Sequence, residues 1–314
     1  MEILTLFGIV FYKVKGGTGM NSRRFKTDYV RIASSIFIDE FEKRYDDVPT
    51  GIIFNKYLTL LHRDLKSNGI NIQLSHCWYR WGDAVVRYSL PYINWTHDDL
   101  DITKVSYRGN RPVINEDDDV VKQIRDFAGE FFRKYNNDRE SVECMVDEVY
   151  TDAPFQFQND YRKLRESLKI SRRNSVYTNY KEYAVSLLEQ AMASFPKEFS
   201  SIKKQKDEFV CVFRESAENG ASVEDLFDIT ESFWFFFCYH LRMNNRCHEN
   251  VSRETLNIWR SRIPEEKSRF ESSIQNYAYQ LCRHDTGDQV IRGLLKDRES
   301  RLSRINGLFD ELGW

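Results

Sequence analysis

The chain has 314 residues, of which 46 are Lys or Arg and 48 are Asp or Glu, for a formal net charge of -2. That balance gives no global attraction to nucleic acid or to an anionic membrane, and 41% hydrophobic residues suffice for a substantial core, which excludes a disordered or low-complexity chain. The 14 Gly and six Pro fall below the roughly 22 and 16 of average usage, so long helices are expected rather than a turn-rich sandwich, in one large domain or two ordinary ones.

The apolar run at 3–12 has no basic residue before it and is too short for a bilayer. Residues 1–19 are therefore expected to form a strand or an N-terminal extension, with Met20, after the glycine-rich 15–19, as a candidate start. From Tyr29 to Tyr45 the residues Val30, Ala33, Ile36, Phe37 and Phe41 recur at helical spacing. A second helix is predicted after a break at 46–51, with Ile53, Tyr57, Leu60, Leu61 and Leu65 on its apolar side and Asn68-Gly69 as its stop. The alternation in Ile70-Asn71-Ile72-Gln73-Leu74 predicts a strand. The block His76-Cys77-Trp78-Tyr79-Arg80-Trp81-Gly82-Asp83 follows, and 84–88 reads as strand or helix.

Between 96 and 119 acidic residues dominate and periodic apolar residues are few, which reads as a domain boundary. Beyond it, helices are predicted at about 119–135, 138–150, 159–172, 178–194, 198–218, 222–244, 252–262, 265–283 and 286–311, with Ser222 and Ser252 as N-caps. The apolar run 233–239 reads as buried helix, so no membrane segment is expected. The expected fold is mainly α, with a small α+β module at 20–112 followed by a larger helical bundle at 119–314.

Cys77, Cys144, Cys211, Cys238, Cys247 and Cys282 form no C-x-x-C pair and read as reduced thiols of a cytoplasmic protein. The series Cys238, His240, Cys247, His248, Cys282 and His284 has ligand-type residues at gaps too short for common zinc modules, so no metal is expected there. The acid-rich segments His97-Asp98-Asp99-Leu100-Asp101 and 116–119 match no calcium loop and read as a solvated linker. There is no phosphate loop, nucleophile elbow or dinucleotide fingerprint, and no cofactor is expected.

On a helix, Arg162, Arg165, Lys169 and Arg172 share one face, with Tyr161, Leu164 and Leu168 beside it. Such a stripe can follow a nucleic-acid backbone, with Tyr177, Tyr180 and Tyr183 as stacking surfaces. The alternative is a solvated face whose charges pair with acids elsewhere. Further on, Arg242 precedes His248 by five intervening residues within helical sequence. The pair resembles the arginine-to-histidine motif of HEPN-type ribonucleases. The resemblance implies metal-independent RNA cleavage, with Arg242 steadying the scissile phosphate and His248 moving protons.

The most distinctive block gathers Trp78, Tyr79, Trp81, Tyr88, Tyr92 and Trp95 around Arg80, Gly82, Asp83 and Arg87. Its order is a helix holding Asn55-Lys56-Tyr57-Leu58-Thr59-Leu60-Leu61, then Gly69, a short strand and Trp78-Tyr79-Arg80-Trp81-Gly82. About forty residues are thereby similar to the Panacea antitoxin domain, related to SocA-like antitoxins, although Asp83 stands where that family has proline. The resemblance implies neutralisation of a partner protein, and the alternative is an aromatic core of the module itself. The expected function is a non-catalytic interaction or regulatory protein of a microbial defence or toxin–antitoxin system. It would bind a protein partner through Trp78, Tyr79, Trp81 and Arg87 and nucleic acid through the stripe at Arg162, Arg165, Lys169 and Arg172. A ribonuclease using Arg242 and His248 and a structural subunit of a larger complex are the alternatives.

Overall fold

A computed structural model describes residues 5–6, 9–10, 28–98, 101–173 and 180–284. The expectations for Met20, Asp99, Tyr177 and the helix at 286–311 lie outside the described residues. At the N-terminus β1 (Thr5–Leu6) and β2 (Ile9–Val10) pair antiparallel. Helix α1 (Tyr29–Tyr45) starts where the Asp28 carboxylate accepts the Arg31 amide at 3.0 Å, and it ends at Asp46 in a left-handed conformation. Helix α2 (Gly51–Ser67) follows, capped by Thr50.

The strand predicted at 70–74 does not form. Ile72 and Leu74 are buried while Asn71 and Gln73 are exposed, so the alternation is real. Gln73, however, has φ 61 and donates its amide to the Asn71 side chain, which turns the backbone out of any ladder. The strands lie next door, in the aromatic block. β3 (His76–Tyr79) and β4 (Gly82–Val85) form a hairpin whose two-residue turn is Arg80-Trp81. A second hairpin, β5 (Ile93–His97) with β6 (Thr103–Tyr107), occupies much of the segment read as a linker.

Helices α3 (Asp119–Lys134), α4 (Arg139–Tyr150), α5 (Gln156–Arg173), α6 (Tyr180–Ala193), α7 (Lys203–Glu218) and α8 (Val223–Leu241) succeed one another. Asp118 and Asp138 cap α3 and α4, and Ser222 with Asp225 closes a reciprocal capping box on α8. The two helices predicted at 252–262 and 265–283 are one helix, α9 (Arg253–His284), which continues through Pro264. Among the described residues no helix is long and apolar enough to cross a membrane. The mainly α architecture with small sheets in the N-terminal part is as expected.

Between α8 and α9 the chain adds a strand that sequence reading missed. β7 (His248–Glu249) pairs antiparallel with β3, giving the sheet order β4-β3-β7. A continuous buried cluster joins both parts of the chain. Phe37 stacks on Tyr57 and Phe132, Tyr161 on Trp234, and Phe209 on Phe233, while Trp78 meets Tyr150 edge-on between them.

Candidate functional site

The β3–β4 turn is fixed from two sides. The Lys56 ammonium, fully buried on α2, donates to the carbonyl oxygens of Trp81 and Asp83, the latter at 2.8 Å, and the Trp234 indole donates to the Arg80 oxygen at 3.0 Å. Gly82 has φ 87, and a Cβ there would stand 3.0 Å from both the Tyr150 ring and Val149. Only glycine lets the turn lie this close to α4. The arrangement leaves the Trp81 ring 44% exposed at the mouth of a cavity of about 310 Å³.

Helices α4 and α5, with Ile52 of α2, supply the rest of that cavity. Val142, Val146 and Tyr150 form an apolar wall, and Arg139, Arg162, Arg165, Lys169 and Arg173 provide five cations against Glu143 and Glu166. Arg165 is buried, makes a bidentate pair with Glu231 that includes a 2.9 Å bond, and places its guanidinium 5.4 Å from the Trp81 ring. Burial alone would lower its pKa, but the Glu231 carboxylate outweighs burial and raises it. Arg162 pairs with Asp147 and lies over Tyr150 at 4.7 Å. Lys169 bridges Glu166 at 3.0 Å and Glu143 at 3.6 Å, and Arg139 also meets Glu143, at 3.0 Å. Among the described residues no carboxylate pairs with Arg173.

The structure thus joins one residue of the expected contact surface, Trp81, to three of the stripe, Arg162, Arg165 and Lys169. The other residues separate. Trp78 is buried against Tyr150 and belongs to the core, and Tyr79 points to the opposite sheet face, edge-on to Tyr239. These two offer no shared contact surface, because neighbouring strand residues face opposite ways. Arg87 is exposed but covers Trp95, at 4.6 Å. Arg172 pairs with Glu224 at 2.9 Å, outside the cavity lining. Arg173, at the end of α5, was left out of the stripe, and Arg139 and Glu143 were missed because they lie on α4, which meets the stripe through side-chain pairs such as Lys169–Glu143.

Arg242 and His248 do not present an open site. Arg242 is buried, with its guanidinium 4.0 Å from the Tyr239 ring, 4.8 Å from Trp259 and 5.1 Å from Tyr79. Burial lowers its pKa. Three rings therefore cover the group that would have to meet a phosphate. His248 lies on β7 opposite Cys77, and burial lowers its pKa too. Cys238 is buried within α8, and His240 packs on Phe236. In the acidic segments Asp118 caps α3 and Glu116 pairs with Arg125.

Among the described residues, the ligand-type side chains that converge are His62, His76 and Glu249, a group the sequence reading did not assign. His76 and Glu249 are cross-strand partners in the β3–β7 register, so they share a face of the sheet, and α2 lays His62 over that face with the two imidazoles 5.2 Å apart. Asp83, diagonal to His76 across the hairpin, holds its Nδ1 at 2.8 Å. Burial, then the neighbouring His76, hold the His62 pKa down at about 4. Burial opposes the charge of His76 as well, but Asp83 and Glu249 outweigh it and raise its pKa. No local spacing ties these residues together, so only the returning strand reveals the group.

No protein-family model, curated protein or solved structure matches the chain.

Proposed function

We propose that the chain is a non-catalytic interaction protein that receives a polyanion, single-stranded nucleic acid, in the cleft between the β3–β4 turn and helices α4 and α5. The observation that carries this reading is the convergence of Trp81 with five cations on one cavity. An exposed indole is a stacking platform for any base, and ammonium and guanidinium groups along the same wall meet phosphates in its vicinity. Lys169 and Arg139 now pair with Glu143 and Glu166 near the surface. Arg139 and Glu143 are exposed, and an exposed pair is worth only about 0–1 kcal/mol, so a phosphate can replace Glu143 there, while the Lys169–Glu166 pair is half-buried. Arg165 stays with Glu231 and serves to hold the Trp81 ring.

The test is anisotropy of a labelled oligouridine titrated with the full chain at low and at high salt. Wild type is expected to bind with a marked salt dependence, and Lys169→Glu with Arg173→Glu to weaken binding by about tenfold or more at low salt, through the lost phosphate neutralisation. Trp81→Ala is expected to weaken it as well, since base stacking on one aromatic is worth about 1–3 kcal/mol. No binding at low salt, or equal affinity at both salts, overturns the reading. A stoichiometric protein captured from cells without nucleic acid would instead favour the partner class implied by the antitoxin resemblance.

A further inference from the structure

We propose that His62, His76 and Glu249 form a binding site for one divalent transition-metal ion, with zinc, which takes two imidazoles and a carboxylate in an open tetrahedral site, as the ion tested. The donor atoms of the three residues lie within 4.8 Å of one another. Glu249 Oε2 is 3.6 Å from His76 Nε2 and 4.0 Å from His62 Nε2. Tetrahedral ligands at about 2.1 Å from a shared ion stand about 3.4 Å apart, so these separations close by side-chain movement with the backbone in place.

Two further observations point to a ligand. The His62 side chain is only 5% exposed, yet neither of its ring nitrogens has a hydrogen-bond partner, and His76 Nε2 also lacks one. Unpartnered buried polar atoms are costly, and a metal lone-pair bond relieves the cost. Meanwhile Asp83 fixes His76 through Nδ1. That contact sets the tautomer that leaves Nε2 as the donor and makes the imidazole more basic, as carboxylates behind metal-bound histidines do. Three protein donors leave a coordination position for water or another ligand.

One group competes for the site. The Lys66 ammonium, half exposed, donates to Glu249 Oε2 at 2.6 Å. An ion entering the site displaces this ammonium, which turns into solvent. The lysine is thus a built-in competitor, and its removal should tighten binding.

The test is calorimetric titration of the chelator-stripped full chain with zinc chloride, comparing wild type, His62→Gln and Lys66→Met. Wild type is expected to take one zinc per chain and to unfold at higher temperature when loaded. His62→Gln is expected to lose about tenfold or more in affinity, and Lys66→Met to gain severalfold or more. Equal affinity of wild type and a folded His62→Gln would assign the zinc to other donors, such as the exposed thiols Cys144 and Cys211, and overturns the site. Should His62→Gln fail to fold, Lys66→Met on the surface decides, and an unchanged or weaker affinity overturns the proposal. No zinc uptake by wild type also overturns it. The oligouridine titration is independent of every one of these outcomes.

Discussion

Lys56 sits in the middle of the architecture as a fully buried cation whose bonds go to two backbone oxygens of the β3–β4 turn. Burial is the main cause that lowers its pKa from 10.5 to about 7, with Arg162 and Arg63 acting the same way and Asp83 opposing. Below about pH 7 the folded and unfolded chains both carry the proton, and folding bears the full cost of burying the charge. Between about 7 and 10.5 the folded chain has released a proton that the unfolded chain still holds, so this residue makes stability rise with pH across that window. Denaturant titrations at pH 7 and at about pH 9 should show that rise in wild type, and its contribution should be missing from Lys56→Met. The same increment in both proteins would mean that Lys56 does not titrate there. Sequence reading assigned Lys56 to a helix resembling an antitoxin motif, but nothing in its local sequence marks it as buried. The charge is tolerated because two carbonyl oxygens of the β3–β4 turn face it.

At the scale of elements, the β3–β4 hairpin and helix α4 meet at Gly82. An alanine there would combine an unfavourable positive φ with a methyl group 3.0 Å from the Tyr150 ring. Gly82→Ala should lose about 2 kcal/mol or more of unfolding free energy, from left-handed strain and overpacking together. Gly129, inside α3 with nothing near its missing Cβ, is the matched control. Gly129→Ala should be neutral or gain up to about 1 kcal/mol from helix propensity. Denaturant midpoints of the two variants check both, and equal effects would show that the tight approach to Tyr150 is not felt. Helices were the legible elements, since their periodicity and caps are local. The strands were not. At 70–74 the burial alternates as a strand would, but one left-handed residue removes the ladder, while the neighbouring β3 and β4 are short and hold four residues each. The gap expected between 262 and 265 does not form, because the missing amide of Pro264 costs α9 one hydrogen bond without ending it.

Among the described residues, contacts distant in sequence tie the N-terminal part to the bundle, three of them at the aromatic hairpin. β7 joins β3, Trp234 reaches the Arg80 carbonyl, and Trp78 packs on Tyr150, all within reach of one buried cluster. Far-ultraviolet dichroism and tryptophan fluorescence should therefore report the same unfolding midpoint, as expected for a single cooperative unit. Two resolved transitions, with fluorescence leading or trailing, would show that the N-terminal module and the bundle unfold separately. By itself the sequence determined the mainly helical class, the first two helices, the bundle helices between 119 and 241, the capping serines Ser222 and Ser252, and the cationic face of α5, because these follow from near-neighbour spacing along the chain. Only the tertiary structure decided that Arg165 is buried on Glu231 and Arg242 covered by aromatic rings. It alone brought Trp81 to the cationic cleft and assembled His62, His76 and Glu249, because burial, ion pairing and donor convergence depend on segments that meet only after the chain has folded back on itself.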